Sequence, residues 1–282
     1  MSWLIIILIN VLAISSASLF QRLAMKEEAS EPVTATIIFQ FILGALVIPF
    51  AISQGFTWPN WAQLWPYFLF STVLYALGSV LFFRSIKLIE ASEMTVFAGA
   101  GAIVTMLCAY IFLGERLGLW QYLGAGLILA AILVIAHQGK KISFSQGALY
   151  ALVATSFFSI AVVSDMIIIR AYDAISFAGL MSILPGFALL VLYFRKIKLL
   201  PQAIKKLDKN LLFYSLLYSI GVVSFYGALG TGALLSQVSV VARTNIILTV
   251  LMAAVLLGER SHLWYKLLAG LLCTVGVILV AL

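Results

Sequence analysis

Residues 113–127 read LGERLGLWQYLGAGL, and residues 257–271 read LGERSHLWYKLLAGL. Ten of the fifteen positions are identical at an offset of 144 residues. The same offset pairs Ser92 with Ser236, Thr105 with Thr249 and Lys26 with Arg170, and an offset of 143 sets LYALG (74–78) on LYSIG (217–221). Chance likeness between apolar segments would not reproduce polar and aromatic residues. Here Glu115/Glu259, Arg116/Arg260 and Trp120/Trp264 all recur. The chain therefore reads as an internal duplication, with halves at 1–139 and 140–282.

Working outward from the repeat, each half carries long apolar runs. Of the 282 residues, 64% are hydrophobic and 10% charged, against about a quarter charged in soluble domains. A helix that crosses a bilayer needs ~20 mostly apolar residues. Such runs fall at 2–21, 33–53, 66–87, 92–113, 118–137, 145–168, 174–194, 211–234, 236–257 and 263–281. Helices are required because lipid offers no partner to backbone N–H and C=O groups. The runs are continuous, which excludes the ~10-residue alternating strands of a membrane barrel. The first run lacks the basic n-region and small-residue cleavage site of a signal peptide, and reads as the first span. The expected fold is all-α and integral to the membrane: ten transmembrane helices as two five-helix repeats. Five is odd, so the second repeat enters the membrane with opposite polarity, as in many secondary transporters.

Charge placement sets the expected orientation. Fourteen of the 17 Lys and Arg residues fall after the odd-numbered spans: Arg22, Lys26, Arg84, Lys87, Lys140, Lys141, Arg195, Lys196, Lys198, Lys205, Lys206, Lys209, Arg260 and Lys266. Arg116 and Arg170 lie on the other side, and Arg243 lies within a span. Cytoplasmic loops are the basic ones, so both termini are expected to face away from the cytoplasm. The six basic residues at 195–209 fit contact with lipid headgroups; the net charge of +7 is spent on loops and implies no nucleic acid. Cys108 and Cys273 fall inside spans and read as small buried side chains. His137 and His262 stand at span ends. With no Walker A loop, HExxH or GxSxG motif, no cofactor, metal or catalytic residue is called for.

An ionisable side chain inside a span is costly and points to function. Arg243, followed by Thr244 and Asn245, lies several residues inside the ninth span, and its repeat mate is Gly99. Its guanidinium fork suits a substrate carboxylate; the competing reading is an internal ion pair with an acid such as Asp165. Asp165 lies in the sixth span, with Gln21 as its repeat mate. It reads either as a proton-coupling carboxylate or as a structural partner of Arg170 or Arg243. Glu93, beside Glu90, is expected at the interface. In each LGER motif the Gly suits a helix end and the Glu suits a helix N-terminus, a hairpin staple with an ion pair at the membrane surface. Trp120 and Trp264 suit interfacial anchoring.

The LGER pattern followed by a Gly-containing span, at the end of both halves, resembles the EamA-type module. Two such modules make the ten-helix members of the drug/metabolite transporter superfamily. The resemblance implies a carrier of small solutes such as amino acids, other metabolites or drugs, in a plasma membrane, here a bacterial inner membrane. Family members often carry a proline midway through the fourth helix of a module. Here Gly99-Ala100-Gly101 and Thr244-Asn245 occupy that stretch, and Gly supplies similar flexibility. In the family the first, third and fourth helices of each half line the cavity. That nominates Ser15, Ser18, Tyr75, Ser79, Ser159, Tyr218, Phe225 and Tyr226, with Arg243 and Asn245, for a moderately polar, aromatic-walled pocket. Ser and Gly that permit close helix packing are the alternative. The leading reading is an exporter of an amino acid or related carboxylate working by alternating access, as monomer or homodimer, with the small molecule and the lipid bilayer as its partners. A multidrug exporter of lipophilic cations, and a membrane enzyme or non-transporting subunit, are the alternatives.

Overall fold

The structure is a computed structural model that describes residues 3–26, 30–113, 118–137, 145–231, 238 and 241–280. Glu115, Arg116, Lys140, Lys141, Gly232 and Ser236 lie outside the described residues. The first half comprises α1 (Trp3–Lys26), α2 (Pro32–Ser53), α3 (Trp61–Leu88), α4 (Ala91–Gly99), α5 (Gly101–Leu113) and α6 (Leu119–His137). The second comprises α7 (Gln146–Ala171), α8 (Ala174–Leu192), a 3₁₀ segment (Phe194–Leu199), α9 (Leu200–Lys205), α10 (Lys209–Gly230), α11 (Asn245–Met252) with a π-helical turn (Ala253–Leu257), and α12 (Leu263–Val280). Among the described residues nine helical segments are long and apolar enough to cross a membrane, and Asn245–Leu257 is a shorter apolar helix.

Local chemistry sets the helix ends. Glu31 accepts the Thr34 N–H at 2.8 Å ahead of Pro32, and Asp173 accepts the Ser176 N–H at 2.7 Å. Both are N-caps that satisfy orphan donors of a first turn. Gly258 ends the π-helical turn with φ 70°, the left-handed conformation that favours glycine. Its neighbour Glu259 makes a longer reach than a hairpin staple. The Glu259 carboxylate accepts N–H groups of Ala91 and Ser92, at the start of α4 in the other half.

Two differences from the expected spans have physical causes. The fourth span is broken at Ala100, where the Ala100 N–H turns back to Phe97 C=O at 3.0 Å. The repeat-related stretch breaks likewise at Arg243–Thr244, with the Thr244 N–H on Val241 C=O at 3.1 Å. The basic stretch expected as a plain loop is helical over 194–205. Phe194, Ile197, Leu199 and Ile204 alternate there with Arg195, Lys196, Lys198 and Lys205, and all four apolar side chains are exposed. An in-plane interfacial segment has this composition.

The most extensive helix pairings are α3 with α7, α1 with α10, α6 with α12 and α2 with α8. Every one joins the two halves. At the end of the bundle away from the basic loops, Tyr172 donates to Thr57 C=O at 2.6 Å, linking the α7–α8 turn to the α2–α3 loop. Trp120 and Trp264 are exposed, as lipid-interface residues are.

The α6–α12 seam depends on missing side chains. A Cβ at Gly124 would stand 2.5 Å from the Gly276 carbonyl oxygen, and one at Gly276 would stand 2.7 Å from that of Gly124. Such backbone approach is the way small residues join helices in lipid. Gly124→Val or Gly276→Val is therefore expected to lower thermal stability in detergent by about 1–3 kcal/mol. Gly126→Ala, whose Cβ would meet nothing within 4 Å, serves as the silent control. An unchanged melting midpoint in Gly276→Val would show that the seam can open without loss.

Candidate functional site

The helix breaks place polar groups in the middle of the bundle. Arg243 stands at the second break, two residues before α11 begins. Its side chain is exposed although it lies within an apolar span, because it projects into internal space. A central cavity of about 420 Å³ is lined by Tyr75, Ser79, Phe158, Asp165, Tyr218, Tyr226 and Arg243 among others. A smaller one of about 120 Å³ is lined by Ser18, Gln21, Thr95, Gly99, Tyr214, Tyr218, Arg243 and Asn245 among others. Ile14, Phe82, Tyr214, Tyr218 and Arg243 line both, so the two are compartments of one site with Arg243 at their junction.

The walls are aromatic. Phe39 stacks on Tyr214 with ring centroids 4.6 Å apart and meets Tyr218 edge-on at 5.3 Å. Tyr75 stacks on Phe158 at 5.8 Å. Tyr75 and Tyr218 are the repeat-related pair of the LYALG and LYSIG segments, and they face the same space.

Asp165 and Arg243 do not pair. The Asp165 carboxylate accepts from the Tyr75 hydroxyl at 2.5 Å and the Ser71 hydroxyl at 2.7 Å. No acid among the described residues lies within ion-pair distance of Arg243, and none of them accepts a hydrogen bond from its guanidinium. Among the described residues, one charge of each sign thus lines the cavity. The anion is held by hydroxyl donors, and the cation keeps its donors free.

Not every nominated residue reaches this space. The buried Ser15 hydroxyl donates to Asn245 C=O at 3.2 Å, tying α1 to the start of α11. Ser159 donates to Gly101 C=O at 2.9 Å, beside the first helix break. Phe225 packs in a cluster with Ile7 and Ala228. These three face neighbouring helices and stand outside both cavity linings, as packing residues do. Ser18 lines the smaller cavity while donating to Ile14 C=O at 3.0 Å.

Two residues that sequence reasoning did not nominate stand out. Gln21 lines the smaller cavity with a buried Nε2 that has no hydrogen-bond partner, and Gln40 lines the larger with an unpartnered Oε1. Gln40 Nε2 donates to Ser79 Oγ at 3.3 Å. A buried amide atom without a partner is costly, and in a cavity it is a place for a ligand atom. The signal was available: both are amides inside otherwise apolar runs, and Gln21 is the repeat mate of Asp165.

A bundle of membrane-length helices, broken at its centre around an aromatic-walled cavity with two charges, has the form of a membrane transporter. The chain belongs to the EamA-like transporter family, whose model matches residues 1–137 and again 145–282. A solved structure titled "Crystal structure of protein" is similar over 98% of this chain and 94% of that one, with a TM-score of 0.66 and 18% identity; that likeness shows the fold alone. No curated protein matches the chain.

The hydroxyl donors on Asp165 are expected to be worth about 1 kcal/mol each. Tyr75→Phe and Ser71→Ala should each lower the melting midpoint modestly. The Asp165→Asn background should make the Tyr75→Phe loss smaller. A double-mutant cycle with zero coupling would show that the Asp165–Tyr75 bond does not support the fold.

Proposed function

We propose that this member of the family is a secondary transporter that exports an amino acid or a related carboxylate by alternating access between two inverted five-helix halves, 1–139 and 140–282. The observation that carries the substrate class is Arg243. It is a cation with free donors, set at the junction of the two cavity compartments and beside the start of α11. A planar guanidinium offers paired N–H donors to a carboxylate, and the first turn of a helix adds positive potential. The unpartnered Nε2 of Gln21 lines the same smaller compartment. Asp165 and Gln40 Oε1 supply acceptors for an ammonium group, and the rings of Phe39, Tyr214 and Tyr218 supply apolar walls.

The pairing of helices supports the inverted repeat. Exchanging the halves turns the α3–α7 contact into the α10–α1 contact and leaves α2–α8 and α6–α12 as they are. Two halves so related favour two conformations of similar energy, one open to each side. Asp165 is the proposed proton-coupling group, because it is a carboxylate in the cavity held by hydroxyls and not by a cation. Lipophilic cations fit less well. They would gain from Asp165 and the aromatic walls but would meet the unpaired charge of Arg243. The excess of Lys and Arg in the loops after the odd-numbered spans supports a cytoplasmic position for 194–209 and an outside position for both termini, in a bacterial inner membrane.

Two measurements test this. Expression in an exporter-deficient bacterium is expected to protect against toxic amino-acid analogues. Arg243→Gln should cut that export about tenfold or more, the cost of one charge-assisted contact, with folded yield unchanged, and Arg243→Lys should recover only part. Full export by Arg243→Gln, or protection against cationic dyes alone, would overturn the carboxylate reading. For orientation, a phosphatase fused after Leu282 is expected to be active outside the cytoplasm; activity only of a cytoplasmic reporter at that position would invert the topology.

A further inference from the structure

At the basic end of the bundle the two halves are joined by charged side chains, Lys266 buried and Glu259 nearly so, that the cavity does not use. Glu259, in the α11–α12 loop, accepts the N–H groups of Ala91 at 3.1 Å and Ser92 at 3.2 Å, and the Ser92 hydroxyl at 2.8 Å. These are donors of the first turn of α4, from the other half. Conversely, Glu90, just before α4, pairs with the ammonium of Lys266 on α12 and accepts the Ser261 hydroxyl at 3.0 Å. Lys266 is 0% exposed and also reaches Glu259 C=O at 3.3 Å and Ser261 Oγ at 3.1 Å. Arg22 stands 3.9 Å from Glu259 and donates to Ile86 and Lys87 C=O at the end of α3.

What is clasped is a short lever. α4 has nine residues and ends at the break at Ala100. Its far end, at Thr95, Ala98 and Gly99, lines the smaller cavity beside Arg243. A helix held at one end by charge-assisted bonds, interrupted at the other and facing the cavity, connects the bundle's end to the site. Hinges of this kind take up rotation at a few residues, and a charged pair with two alternative arrangements switches between discrete states.

We propose that Glu259 and Lys266 are positioning residues of the transport cycle. Their contacts with α4 and Glu90 form a clasp that closes the basic end of the cavity and must release for α4 to swing about Ala100 and open it. The proposal rests on the transport reading above. Its test reads accessibility and needs no substrate, so the two can fail separately.

The experiment uses the full chain with Ala98→Cys, in membrane vesicles of each orientation, and a membrane-impermeant maleimide. Both native cysteines are buried, and the parental chain is the blank. Ala98→Cys alone is expected to label slowly from the basic face. Adding Glu259→Ala or Lys266→Met should raise the rate from that face about tenfold and leave the rate from the opposite face the same or lower. Glu259→Asp should fall between. Ser92→Ala, which removes one neutral donor and no charge, should give a smaller rise and covers the case in which a charge variant does not fold. An unchanged rate from the basic face in the folded variants would overturn the proposal, as would an equal rise from both faces, which marks a loosened bundle. If labelling responds as expected and no carboxylate is transported, the clasp stands and the substrate assignment falls.

Discussion

Hydrocarbon supplies no hydrogen-bond partner, and every polar atom in this bundle answers to that fact. Backbone groups are consumed within helices. Several buried side-chain donors turn to carbonyls of other helices: Asn10 to Gly221 at 2.8 Å, Ser85 to Gly147 at 2.7 Å, Ser159 to Gly101 at 2.9 Å. Each such bond fixes a helix pair as well as satisfying a donor. Against that background, polar atoms left open gain meaning. The guanidinium of Arg243, Gln21 Nε2 and Gln40 Oε1 belong to residues that line one central space, whereas the unpartnered hydroxyls of Thr155 and Thr274 stand outside it. Irregular backbone obeys the same constraint. The breaks at Ala100 and at Arg243–Thr244 adjoin the cavity lining at Gly99 and Arg243, and their backbone groups are taken up in tight i to i+3 bonds, Ala100 N–H on Phe97 C=O and Thr244 N–H on Val241 C=O.

The two charged groupings divide the work by depth. In the cavity, charges are kept apart: Asp165 is bound by hydroxyls, and Arg243 stands free. At the basic end, charges are brought together, and Glu259, Glu90, Lys266 and Arg22 join the halves. A buried pair is costly to desolvate and strongly directional once formed. That makes it suited to fixing the register between the two halves. α4 links the two groupings, since its first turn is bonded by Glu259 and its other end lines the smaller cavity.

Much of this is legible in the sequence alone. Arg243 announced itself as a full charge inside an apolar run, and Tyr75 and Tyr218 as repeat mates on helices expected to line the cavity. Ser15, Ser159 and Phe225 were nominated on equal grounds, yet they face other helices. The reason is rotational: in a span that is apolar all round, the sequence carries no stripe that tells the cavity side from the packed side. The pairing suggested between Asp165 and Arg243 shows the same gap, because opposite charges in one membrane give no distance. Residues 195–205 read as loop in the sequence, since a segment lying along the interface is too short and too basic to look like a span.

By itself the sequence determined the bilayer as solvent, the helical class, the duplication and the anomalous charge, because each follows from composition or from a repeat along the chain. Only the tertiary structure decided that Gln21 and Gln40 line the cavity, that Tyr75 and Ser71 hold Asp165, and that Glu259 caps a helix 168 residues away. Those facts depend on which face each helix turns inward and on contacts between halves. Helices fixed in length by the membrane remain free in rotation and pairing until packing, glycine by glycine and donor by donor, selects one arrangement.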